Sequence, residues 1–243
     1  MTRRIGLIVP FDLTLDREYW QYAGTDASLH VTRTPYQPGA VTLETVTAVA
    51  DLAAVTEATR SLVRISPRVI AYACTSGSFV GGVEGEQRLR EAILRAGAPA
   101  AVTTSGALVE ALRALDVRRV AVGTPYVESI GRRLVPFLEG AGFEPVSLVN
   151  MELHDGISDV SDEDVIALAE AALRPGAEAV FLSCTNLPTL HLLAPLERRL
   201  GIPVLSANQV TMWAALRMAG AQAAIEGQAL FRRPAPGLPV VVA

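Results

Sequence analysis

The sequence predicts an α/β protein built as two similar open parallel-sheet halves related by a pseudo-two-fold, with the active site in the cleft between them. Three observations point there. Short runs rich in β-branched residues alternate with alanine- and leucine-rich amphipathic stretches along the whole 243-residue chain, as βαβ units do. Segments recur at nearly constant spacing. The two cysteines, Cys74 and Cys184, sit at matching points of that recurrence, each closing an apolar run.

Ile5-Gly6-Leu7-Ile8-Val9, stopped by Pro10, predicts a strand over 4–9; the apolar run after Arg3-Arg4 is too short for a signal peptide. Leu29 to Thr34 predicts a weaker strand before the turn marked by Pro35, Pro38 and Gly39. Ala50, Leu52, Ala53, Val55 and Ala58 recur at helical spacing and predict one helix over 42–64. Further strands are predicted over 68–73, 99–103, 118–123, 144–149, 178–183 and 203–206. The helices between them are predicted over 84–96, 105–115, 127–141, 161–173, 190–200 and 209–219.

Gly97-Ala98-Pro99 through Ala111-Leu112-Arg113 matches Gly201-Ile202-Pro203 through Ala215-Leu216-Arg217 at an offset of 104 residues. Ile70 to Ser76 parallels Val180 to Asn186 at an offset of 110, and Ile5 to Pro10 parallels Val120 to Pro125 at 115. Three agreeing segments predict a duplicated unit, against the alternative of chance likeness between generic αβ units. The expected division is residues 1–115 and 116–220, joined tightly at Leu115-Asp116-Val117. Residues 221–243, with Pro234, Pro236 and Pro239, are expected to form an extended arm that covers an edge or packs on a neighbouring subunit.

Half of the residues are hydrophobic, so core size is not limiting, and a formal charge of −4 leaves no basic field for nucleic acid or an anionic membrane surface. No apolar stretch approaches the roughly 20 residues of a membrane span. Two cysteines 110 residues apart in a chain without export features predict free thiols and a cytoplasmic location.

In an open parallel sheet, ligands collect beyond the carboxyl ends of the strands, which is where both cysteines fall. Thr75-Ser76-Gly77-Ser78 follows the first and Thr185-Asn186 the second, hydroxyl and amide groups that with backbone N–H groups can cradle an anion. A helix start at such a thiol is expected to push it toward thiolate. One lone cysteine at a strand end is as readily a small buried hydrophobe; two repeated in register favour chemistry, with one thiol attacking or deprotonating a carbon and the other donating a proton. The competing class is a non-catalytic small-anion binder, which needs the hydroxyls and amides but neither thiol. Metal binding is disfavoured, since neither cysteine has a C-x-x-C partner and the three histidines are scattered. His30 and His191 are read as structural; His154, beside Asp155, is left open.

At Ala73-Cys74-Thr75-Ser76-Gly77-Ser78, Gly123-Thr124-Pro125-Tyr126, Leu182-Ser183-Cys184-Thr185-Asn186-Leu187 and Ser206-Ala207-Asn208-Gln209 the chain resembles the aspartate/glutamate racemase superfamily. Within it, the resemblance is to the maleate cis-trans isomerase and arylmalonate decarboxylase branch, over nearly the whole chain. It implies a cofactor-independent enzyme, a small carboxylate substrate and a homo-oligomer. By resemblance, Thr75, Ser76 and Tyr126 bind a substrate carboxylate together with Thr185 and Asn186 of the loop after Cys184. Cys74 adds to a double bond, and Cys184 assists protonation. The decarboxylases of the branch carry glycine at the first cysteine position, so Cys74 argues against a pure decarboxylase; an isomerase is the leading expectation, and a racemase or decarboxylase acting α to a carboxylate with the same pair is the alternative. The isomerases begin their first loop with proline-serine-serine-asparagine, where this chain has Pro10-Phe11-Asp12-Leu13-Thr14, which makes Phe11 and Asp12 candidates for the group that sets the substrate.

Overall fold

Ile5, Leu7, Ile8 and Val9 are completely buried, and they make β1 (Arg3–Val9) the central strand of a sheet. The computed structural model describes residues 3–232. Within that span the other strands are β2 (Ala27–Arg33), β3 (Val69–Tyr72), β4 (Ala101–Thr103), β5 (Arg119–Tyr126), β6 (Glu144–Leu153), β7 (Ala179–Leu182) and β8 (Val204–Ser206). They form two four-stranded sheets, ordered β2-β1-β3-β4 and β6-β5-β7-β8, with every pairing parallel. The same order drawn twice is the structural form of the recurring segments. Strands β3 and β7, which lead to the cysteines, are buried at every residue, as parallel strands covered on both faces must be.

The helices are α1 (Asp16–Ala23), α2 (Leu43–Val49), α3 (Leu52–Val63), α4 (Thr75–Phe79), α5 (Gly82–Arg95) and α6 (Thr104–Ala114). They continue as α7 (Glu128–Gly131), α8 (Leu134–Gly140), α9 (Asp162–Ala172), α10 (Leu193–Leu200), α11 (Ala207–Ala219) and α12 (Ala229–Arg232). None is long and apolar enough to cross a membrane.

Four expectations change, and α1 and α4 have no counterpart among the expected helices. The helix expected over 42–64 is two helices, because the Asp51 carboxylate accepts the Ala54 N–H at 2.8 Å and starts α3 afresh. That expected over 127–141 divides into α7 and α8, where Pro136 has no N–H to offer the Arg132 carbonyl. Helix α10 begins only at Leu193, and ahead of it the Thr189 and Leu190 N–H groups are held by Glu18. Residues 229–232 are a helical turn rather than an extended arm: Leu230 is buried, and Gln228 bonds Gln209 and the Leu190 carbonyl. Pro234, Pro236 and Pro239 lie outside the described residues.

Helix α11 joins the sheets. It is buried continuously from Ala207 to Leu216 and packs against α6, β3, β1 and α1, so a helix entered from β8 is covered by the other sheet as well. An all-round buried face is what its even spread of Val, Met, Trp, Leu and Ala encodes. Where α6 meets it, the Thr104 and Thr211 hydroxyls bond at 2.8 Å. Asp116, at φ 57°, turns the chain from α6 toward β5, and Val117 N–H closes that turn on the Leu112 carbonyl.

Candidate active site

Each cysteine lies just past the carboxyl end of a buried central strand. Cys74 follows β3 in extended backbone (φ −141°, ψ 116°) and leads directly into α4. Cys184 follows β7 with φ 93°, a conformation L side chains rarely adopt. Both are free and nearly inaccessible, at 3% and 7% exposure. The sheets bring them within electrostatic reach of each other and of Asp12, whose charge raises the pKa of both.

Each thiol has a tyrosine beside it, Tyr72 for Cys74 and Tyr126 for Cys184, and a backbone donor, Gly77 N–H for Cys74 and Asn186 N–H at 3.4 Å for Cys184. The two backbone donors and the Tyr126 hydroxyl favour the thiolates, yet burial outweighs them. The Cys74 thiol is pushed up to about 11 and that of Cys184 to about 12, burial being the largest cause in both. The sequence expectation of thiols drawn toward thiolate is therefore overturned: the resting pair is neutral at pH 7.

Gly77 has a steric reason to be glycine. A Cβ there would stand 2.3 Å from the Tyr72 hydroxyl and 3.2 Å from Cys74 Sγ. The Tyr72 hydroxyl donates to the Val49 carbonyl at 2.9 Å, so the first thiol is packed between a fixed tyrosine and a bare backbone.

The carboxylate-binding candidates gather around the pair, with one exception in role. Thr75, Ser76, Tyr126 and Thr185 are buried; Ser76 Oγ lies 3.9 Å from Cys74 Sγ, and the Tyr126 hydroxyl is close to both Cys184 and Ser76. Thr75 Oγ1 is buried with no partner among the described residues. A buried hydroxyl left so costs about 1–3 kcal/mol, which a bound oxyanion would recover. Asn186 differs, because its side chain is already engaged across the halves, with Oδ1 accepting Thr14 N–H at 2.9 Å and Nδ2 donating to the Asp12 carbonyl at 3.1 Å. Its side-chain amide is a strap between the two loops, and only its backbone N–H faces a thiol.

The first loop is also held from outside, by Arg33 donating to the carbonyls of Pro10, Phe11 and Leu13. Above it opens a pocket of about 400 Å³, with Phe11, Val41, Val46, Val49 and Ile157 among its apolar walls and Asp12 and Asp155 as its carboxylates. Among the described residues no Arg or Lys lines it. Phe11 stands edge-on to Tyr36 at 5.5 Å. Partial desolvation raises the Asp12 carboxyl, opposed by its own N–H and by Arg33, although the side chain keeps contact with solvent.

A model of the arylmalonate decarboxylase family matches residues 39–231. The chain belongs to that family. It is 33% identical to the maleate isomerase of Nocardia farcinica over 93% of each chain, and 33% identical to the arylmalonate decarboxylase of Bordetella bronchiseptica over 75% of this chain and 77% of that one. A solved structure of a cysteine-to-serine variant of the Nocardia farcinica maleate cis-trans isomerase, with a covalently bound succinylcysteine intermediate, superposes with a TM-score of 0.84. That match has 29% identity and covers 96% of this chain and 100% of that one.

In this member of the arylmalonate decarboxylase family the histidines stay out of the thiol pair. His191 pairs with Asp162 at 2.9 Å on the surface, and His30 contacts Ser28. His154 lines the pocket, where its carbonyl accepts Val41 N–H at 3.0 Å and ties the loop after β6 to the loop after β2. Among the described residues no three of His, Cys, Asp and Glu gather as a metal site needs. Sequence reasoning missed Tyr72, Gly77, and Glu18 and Tyr19 of α1. The signal for α1 was present: Asp16 and Glu18 open it, and Tyr19, Tyr22 and Ala23 follow at the i, i+3, i+4 spacing of a buried face.

Proposed function

We propose that the protein is a cofactor-independent cis-trans isomerase of maleate or a related unsaturated carboxylate. The observation that carries this reading is the presence of both thiols in one closed site, each with its own tyrosine, in a chain similar to an isomerase that forms a succinylcysteine. Thr75, Ser76 and Tyr126, with backbone N–H groups of the two loops, hold the carboxylate. Cys74 sulfur bonds one alkene carbon, and the π pair moves toward the carboxylate. Cys184 protonates the neighbouring carbon to give a saturated thioether free to rotate. Cys184 then removes that proton, the double bond reforms, and Cys74 leaves as a thiolate that takes its own proton back from the acceptor. The proton that Cys74 must lose passes to Asp12, the carboxylate whose charge both thiols feel.

The pocket narrows the substrate. Neither cysteine lines it, but Asp12 and Asn186 connect it to the thiol loops; with apolar walls, two aspartates, His154 and, among the described residues, no Arg or Lys, it suits a cis-2-alkenoate with an uncharged substituent better than the second carboxylate of maleate. The test follows proton NMR of maleate and of cis-2-alkenoates with the enzyme in D2O. Conversion to the trans isomer supports the reading, and loss of conversion in both Cys74→Ala and Cys184→Ala assigns it to the pair. Solvent deuterium placed obligatorily at the carbon α to the carboxylate of a saturated acid favours the second reading, racemisation or decarboxylation, which the match to arylmalonate decarboxylases supports. A cytoplasmic location and a homo-oligomeric state complete the proposal, the latter checked by sedimentation velocity.

A further inference from the structure

Helix α1 links the first half to the back of the second thiol loop. One oxygen of Glu18, itself 7% exposed, accepts the N–H groups of Thr189 and Leu190, each at 3.0 Å. The other accepts Asn208 Nδ2 at 2.7 Å, and the same Nδ2 donates to the Thr185 carbonyl at 3.0 Å. Three donors from the Cys184 side therefore fix α1 in place, and with it the next residue, Tyr19.

Tyr19 is 1% exposed and its hydroxyl has no hydrogen-bond partner among the described residues. It stands near Thr185, short of bonding geometry, and within electrostatic reach of Cys74 and Cys184. Burial, with Glu18 next to it, keeps that hydroxyl protonated, so it serves as a donor and not as a base. Thr75 Oγ1 is orphaned at the same thiol pair. Two buried hydroxyls without partners, one from α1 and one from α4, are what a site looks like when the missing acceptor is a ligand oxygen.

We propose that Tyr19 is a substrate-contacting residue whose hydroxyl donates a hydrogen bond to an oxygen of the bound carboxylate, with Glu18 as the positioning residue that holds it there. The inference rests on the reading that the thiols act beside a carboxylate, but not on which reaction follows. Its test therefore avoids turnover. Cysteine alkylation is timed with iodoacetate, which carries a carboxylate, and with iodoacetamide, which does not, in the full chain and in Tyr19→Phe.

The expected result is a fall of about tenfold in the iodoacetate-to-iodoacetamide rate ratio, with the iodoacetamide rate unchanged. Thermal stability should hold or rise, because an orphaned hydroxyl has been removed. An unchanged ratio overturns the proposal. So does a lowered melting temperature, which would show that the hydroxyl has a structural partner. Glu18→Gln supplies the second variant: it retains the tyrosine but weakens its support, and the ratio should fall by less than in Tyr19→Phe. Failure of maleate and alkenoates to isomerise would strike the proposed reaction while leaving this outcome readable.

Discussion

The two thiol loops come from equivalent places in equivalent sheets, yet they are built differently. After Cys74 the chain enters α4 at once, the backbone at the cysteine is relaxed, and the neighbouring Tyr72 spends its proton on the Val49 carbonyl. After Cys184 no helix forms until Leu193, the cysteine is held at φ 93°, and the neighbouring Tyr126 hydroxyl is directed at the thiol and Ser76. The second loop is instead fastened from the first half, by Glu18 and by the contacts of Asn186 with Asp12 and Thr14. Duplication gave two similar cradles; the contacts between halves made one of them strained and externally supported. In the reaction proposed above, the relaxed thiol attacks and the constrained one moves a proton, a division that this asymmetry fits.

The largest test of this division is to remove each thiol. Cys74→Ala and Cys184→Ala are each expected to lower kcat by roughly a thousandfold. Cys184→Ser should accumulate a covalent adduct of the substrate on Cys74, seen by intact-mass spectrometry, whereas Cys74→Ser should accumulate none. Adducts on both cysteines would make the loops equivalent. Next in size is Gly77→Ala. Its methyl group meets the Tyr72 hydroxyl and Cys74 Sγ, so the expected cost is about 1–3 kcal/mol of stability and most of the activity, while alkylation of Cys184 proceeds at its usual rate.

Much of the scaffold was legible because parallel strands are short, apolar and repeated: Ile70-Ala71-Tyr72 and Val180-Phe181-Leu182 announce themselves, as do the cysteines after them. What escaped depended on contacts distant in sequence. Asn186 reads as an anion ligand until Asp12 and Thr14, more than 170 residues earlier, prove to occupy its amide. Glu18 draws no attention in the sequence, and its role shows only where Thr189, Leu190 and Asn208 surround it. The thiolate expectation failed for a related reason. A loop motif shows the donors around a sulfur but not the depth at which the fold places it, and here depth dominates.

That depth makes pH a milder probe. Below pH 9 both thiols are protonated in the folded and unfolded chain alike. Above it the unfolded chain ionises its cysteines near 9, while the folded pair holds its protons to about 11 and about 12. The folded state then binds more protons, so the contribution of these groups to stability falls as pH rises from 9 through 12. Urea midpoints across that range should decline, and less steeply in Cys184→Ala. Asp12→Asn should lower both thiol pKa values, because a charge that opposes both thiolates is gone. Faster alkylation at pH 8 together with slower turnover would mark Asp12 as the proton acceptor; faster alkylation with faster turnover would restrict it to an electrostatic brake.

The smallest effect discriminates most cleanly, because it requires opposite signs at the two sites. At position 184 the backbone sits at φ 93°, where a Cβ is strained and glycine is not. Cys184→Gly should therefore be more stable than Cys184→Ala by about 1 kcal/mol. At position 74, φ is −141°, extended backbone that any residue adopts, and glycine there only adds freedom to the unfolded chain. Cys74→Gly should be less stable than Cys74→Ala by roughly 0.5–1 kcal/mol. All four variants lack one thiol and the activity with it, so the comparison isolates backbone from chemistry. If both differences carry the same sign, the strain at Cys184 is not a property of the backbone, and the structural asymmetry between the loops reduces to their hydrogen bonds.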